Sequence, residues 1–138
     1  MRTEYSLSKF QRSNYSFALI KNGRIIFRSK AERLQPLISC IKKHKAEMRG
    51  AVVFDKIVGR AAALLLAHAK VGKVWAPTIS RDAVRILTKN GIKIAYKKKV
   101  TCIKNQKGDD LCPMEKLSQR MKPDKLISFL LDLRRKRM

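Results

Sequence analysis

A chain of 138 residues suffices for one ordinary domain with its own core, and a hydrophobic share of 45% sets it among globular rather than disordered proteins. Lysine and arginine number 33 against 10 acids, and this formal charge of +23 either draws polyanions (nucleic acid, nucleotides or acidic membrane surfaces) or serves only as a solvated basic shell. No apolar run reaches the ~20 residues that span a bilayer, and Cys40, Cys102 and Cys112 form no C-x-x-C pair, which argues against a disulfide framework and for free thiols in a cytoplasmic protein.

Residues 1–16 are polar and have no apolar h-region, so they read as a flexible basic tail rather than a signal peptide, ahead of one domain over 17–138. Phe17–Lys21 and Arg24–Arg28 are strand-like and are joined by Asn22-Gly23, which supplies the positive φ values of a type I′ hairpin turn. Ser29-Lys30-Ala31-Glu32 has the form of a capping box, predicting a short helix from Lys30 to Leu34. Pro36 then opens a longer helix to Glu47, with Leu37, Ile38 and Ile41 as its apolar stripe.

Ala51–Phe54 is a short apolar run that reads as a buried strand, and Ile57–Ala69 as a helix apolar nearly all round. Such a helix is central, covered on more than one side by the sheet and other helices, or by a second copy of the chain. Lys73–Ala76 reads as the next strand, Pro77-Thr78-Ile79-Ser80 as a loop with a helix cap, Arg81–Lys89 as a helix, and Ile92–Tyr96 as a third strand. Strand, helix, strand, helix, strand gives two βαβ units with parallel strands and right-handed crossovers. Val100–Lys104 is a further candidate strand, and Pro113 and Pro123 open two C-terminal helices.

In open parallel sheets, ligands bind at the carboxyl ends of the strands. Here those ends are Phe54-Asp55-Lys56 and Ala76–Ser80, each read as leading into a helix N-terminus with free backbone N–H groups and a positive dipole end. With Lys56, Gly59, Arg60 and Arg81 nearby, that rim suits a phosphate or another anion, with Asp55, Thr78 and Ser80 at its mouth. Ordinary helix capping accounts for Asp55 and Ser80 equally well. Cys112 at a helix start is biased toward thiolate, or is simply a small buried thiol, and Glu115 either completes a local cap or faces the pocket. His68 reads as a dipole partner or a satisfied core group, His44 as solvated, and Trp75 as core. The aromatic residues do not interleave with the basic runs, as a platform for single strands would require.

GAVVFDKIVGRAAALLL together with LCPMEKL resembles a small uncharacterised bacterial family, a domain of unknown function with a fold related to cytidine deaminases. The resemblance spans Phe17 to Leu117 and implies a three-layer α-β-α fold whose mixed five-stranded sheet has one strand antiparallel to the rest. Zinc deaminases carry H-x-E and P-C-x-x-C at the starts of two successive helices. At the matching positions this chain has Asp55-Lys56-Ile57 and Pro77-Thr78-Ile79-Ser80-Arg81, so the ligands of a deaminase zinc are absent and no metal is expected. The resemblance therefore implies a deaminase-like pocket that accepts a nucleotide or ADP-ribose, with Asp55 as a conceivable acceptor of an ADP-ribosyl ester. The alternatives are a nucleic-acid-binding protein that uses its basic surface, and a metal-free enzyme in which Asp55, Lys56 and Cys112 take part.

Overall fold

The computed structural model describes residues 7–104 and 113–136. In chain order these form α1 (Leu7–Arg12), β1 (Phe17–Lys21), β2 (Arg24–Ser29), α2 (Gln35–Met48), β3 (Val52–Asp55), β4 (Ile57–Val58), α3 (Arg60–His68), β5 (Lys73–Ser80), α4 (Arg81–Lys89), β6 (Lys93–Val100), α5 (Pro113–Arg120) and α6 (Pro123–Lys136). The hairpin forms where Asn22 and Gly23 take φ of 54° and 78°.

Among the described residues the sheet has six strands, in the order β2-β1-β3/β4-β5-β6. β1 runs antiparallel to both β2 and β3, whereas β3, β4 and β6 all run parallel to β5. The expected five-stranded mixed sheet is thus present, with its middle strand broken in two. β3 and β4 keep one register against β5, from Val52↔Lys73 to Val58↔Ile79, and the pairing lapses over Asp55 and Lys56, opposite Ala76 and Pro77. The ladder between β5 and β6 also skips Pro77, which has no N–H to donate. Val53 and Val58 nevertheless enter the same core, as do Ala76 and Ile79, so the inside-outside alternation of both strands slips by one across this step.

One face of the sheet packs on α2 to α6, with Phe17, Leu19, Val53, Val74 and Ile79 meeting Leu37, Leu65, Leu87 and Leu126. The other face carries Ala18, Ile20, Phe54 and the half-buried Trp75, and α1 covers part of it through Phe10. Residues 7–12 are therefore not a tail. Phe10 is only 1% exposed, and its ring lies 5.6 Å from that of Phe54.

Several local expectations are corrected. No helix forms over 30–34, because Ser29 closes β2 and its Oγ accepts from the Ala31 N–H in a turn. The central helix begins at Arg60 rather than Ile57, since Ile57 and Val58 are held by the β5 ladder. Pro77–Ser80 continues β5 instead of forming a loop, and Val100 ends β6 rather than opening a separate strand. His44 is half-buried rather than fully solvated. Its ring lies 5.6 Å from that of Phe27, at a non-helical residue that kinks α2.

Candidate functional site

The break at Lys56 shapes the site. Asp55, the last residue of β3, shares the helix-facing side with Val53 and is 7% exposed. Lys56 turns outward, its backbone N–H donating to the Ser16 carbonyl at 3.0 Å. A cavity of about 510 Å³ opens above Asp55. Leu34, Ile57, Ala61, Ala62 and Ile103 give it apolar walls, and Lys30, Arg33, Lys56 and Lys104 stand around it as exposed cations. Asn14, Ser16, Glu32, Gly59 and Glu115 complete the lining.

Burial pushes the Asp55 carboxyl well above the ordinary carboxylate range. The backbone N–H groups of Lys56 and Ile57 pull the other way but do not prevail. Asp55 is therefore biased toward its neutral form, in which one oxygen donates a hydrogen bond and the other accepts. An ester-forming attack on a ribose carbon would need the ionised form.

Glu115 holds the opposite wall. It comes from the first turn of α5 yet caps α3, with Oε1 accepting from the Arg60 N–H at 2.6 Å and Oε2 from the Ile103 N–H at 3.5 Å. Gly59 makes this approach possible, because a Cβ there would lie 2.6 Å from Glu115 Oε1 and 2.8 Å from Ile103 Cγ1. The expected anion cradle at the start of the central helix is thus occupied by a carboxylate of the chain itself.

The start of α4 is closed too, since Ser80, fully buried, accepts from the Ala83 N–H at 3.1 Å. Arg60 leans away from the cavity: its Nε donates to the Ser118 carbonyl at 3.2 Å, and a guanidinium nitrogen lies 3.9 Å from Asp82. Thr78 pairs with Ile57 in the ladder and lines an adjoining, more open depression of about 530 Å³ with Lys98–Lys104, which shares Ile57, Ile103 and Lys104 with the cavity above Asp55. Arg81 is exposed at the start of α4 and lines neither depression.

Of the residues expected at one rim, Asp55, Lys56, Gly59 and Glu115 converge, while Thr78, Ser80, Arg60 and Arg81 do not join them. Cys112 lies outside the described residues. Lys30, Arg33 and Lys104 were missed. Nothing in the sequence sets them apart from the other basic residues, although Arg33 takes a left-handed backbone, φ 61°, that marks its turn in the structure. No three His, Cys, Asp or Glu side chains among the described residues are grouped to hold a metal ion.

A family model described as a domain of unknown function (DUF1893) matches residues 6–132. The crystal structure of a DUF1893 family protein from Thermotoga maritima is similar over 91% of this chain and 85% of its own, at 31% identity and a TM-score of 0.82. RibD of Acinetobacter baumannii is similar in fold, at 18% identity and a TM-score of 0.50, over 59% of this chain but only 27% of its own. A diaminohydroxyphosphoribosylaminopyrimidine deaminase/5-amino-6-(5-phosphoribosylamino)uracil reductase from Thermotoga maritima also shows a likeness, at 18% identity and a TM-score of 0.48, over 59% of this chain and 28% of its own. No curated protein matches.

Proposed function

Since this chain belongs to the DUF1893 family, whose function is unknown, and folds on a deaminase-like scaffold, we propose that it binds a nucleotide-like anion, ADP-ribose or a relative, in the cavity above Asp55. The observation that carries this reading is a buried acid at the floor of a pocket whose mouth holds four cations. Its volume of about 510 Å³ falls in the range of small-molecule sites.

The chemistry divides by depth. At the mouth, Lys30, Arg33, Lys56 and Lys104 receive phosphate oxygens, and their number outweighs the single exposed acid of the rim, Glu32. Inside, the apolar walls exclude water from a ribose or a base. On the floor, the Asp55 carboxyl, biased toward its neutral form by burial, donates to one ligand atom and accepts from its neighbour when protonated. The anion is held by side chains at the mouth, because Glu115 and Ser80 already occupy the helix N-termini.

Calorimetric titration with ADP-ribose, ADP and inorganic phosphate tests this reading. Saturable binding of the two nucleotides is expected, with Lys56→Ala weakening it about tenfold by loss of one charged hydrogen bond. Asp55→Asn weakens it as well while leaving the protein folded. No binding of either nucleotide at millimolar concentration, or equal affinity in both variants, would overturn the assignment.

A further inference from the structure

Sheet pairing brings together at the β5–β6 edge what the sequence keeps apart. Trp75 on β5 pairs with Ala95 on β6, and Lys73 pairs with Lys93. Side chains two apart on a strand share a face and stand about 6.6 Å from each other. Lys73, Trp75, Lys93 and Ala95 therefore lie on one face, the one whose described helical cover is α1, and the exposed Lys97 follows along β6 at the step opposite Pro77. The indole stacks on Phe54, with ring centroids 5.8 Å apart and planes at 18°, and Lys73 Nζ lies 4.3 Å over its ring. Trp75 is half-buried, Lys93 and Lys97 are exposed, and the small Ala95 leaves the flank of the indole low.

We propose that this face binds single-stranded nucleic acid, a base stacking on Trp75 while Lys93 and Lys97 hold phosphates on either side. The indole is fixed from behind by Phe54, so it does not have to be ordered on binding. A cation already lies over the ring, a position that a base can take instead. Single strands fit better than duplex, whose bases are stacked inside and cannot reach the ring. An acidic membrane would meet the same lysines, but the patch offers one recessed aromatic ring rather than a protruding apolar surface. The site is independent of the cavity above Asp55 and stands or falls without it.

Trp75 is the only tryptophan of the chain, so its fluorescence reports on the site directly. The full chain is titrated with a dT 12-mer and a U 12-mer at several salt concentrations. Saturable quenching is expected, with log affinity falling linearly against log salt. Lys93→Gln/Lys97→Gln lowers the steepness of that line by about 1.4, from roughly 0.7 per phosphate contact. The matched pair Lys43→Gln/Lys45→Gln on α2 leaves it unchanged. Trp75→Leu keeps apolar cover over Phe54 but removes the π face, and followed by anisotropy of a labelled strand it weakens binding about fivefold or more at an unchanged salt slope. Should that variant not fold, the quenching and the two lysine pairs decide. Binding without quenching, an equal slope change in the α2 pair, tighter binding of a 12-base-pair duplex, or stronger quenching by phosphatidylserine vesicles than by either strand would overturn the proposal.

Discussion

Asp55 shows how one backbone step decides the chemistry of a side chain. Alternation puts its carboxyl on the helix-facing side with Val53, and the slip that follows turns Lys56 outward, so the acid ends the strand buried at the floor of the cavity. Below the unfolded value near 3.8 the neutral acid contributes its full share to stability, and that share is lost as pH rises toward the folded value, which burial has raised. Asp55→Asn has no charge to desolvate. It is expected to raise Tm at pH 7 by about 3–5 °C, on the order of 1 kcal/mol for a domain of this size, and the gain should shrink toward pH 4. Thermal melts across that range check this, and an equal gain at both ends would contradict it. Cys40 makes a parallel case, its thiol pushed up to about 12 by burial and secondarily by Glu47. At pH 8 iodoacetamide should modify Cys102, which is half-buried, well before Cys40, which should react only on unfolding. Peptide mapping reads out the order. Of the two readings of His68, a dipole partner or a core group, the shift at the same scale disfavours the first. Burial, then Lys45, lower its pKa, which works against a charged imidazole at the end of α3.

Among the elements, the junction of α3 and α5 is where the cavity wall depends on a single missing methyl group. Gly59 has φ of −103°, an ordinary value, so its role is the space it leaves for Glu115 and not backbone freedom. Gly59→Ala should cost roughly 1–3 kcal/mol by overpacking against Glu115 and Ile103. Glu115→Ala should cost a similar amount, about 1–3 kcal/mol, because the Arg60 N–H loses its acceptor. The two residues share one contact, so the double variant should fall well short of the sum. Urea denaturation of the two single variants and the double would show this, and strict additivity would mean that the close approach carries no energy.

For the molecule as a whole, the two faces of the sheet are covered unequally. Five helices pack on one face, while on the other, among the described residues, α1 seals Phe54 through Phe10. Phe10→Ala should therefore cost about 3–5 kcal/mol, a loss expected of core and not of a tail. A midpoint in urea unchanged from wild type would refute that. Among the described strands β6 pairs only with β5, and the charge of +23 gives that edge a direction. Among the described residues no helix is long and apolar enough to cross a membrane.

By itself the sequence determined the hairpin, the alternation of strands and helices after it, and the parallel sheet they build. Each of these rests on local signals: Asn22-Gly23, the apolar run before Arg60, the proline at the head of α2. The motifs around Asp55 and Glu115 likewise pointed to a deaminase-like scaffold. Only the tertiary structure decided which side chains meet. Glu115 caps a helix 55 residues away, Thr78 and Asp55 line different depressions, and Trp75 gains its lysines from a neighbouring strand. Local patterns record how a segment satisfies its own backbone. They do not record which distant group completes a cap, nor which way a strand turns when the residue beside it has no N–H to offer.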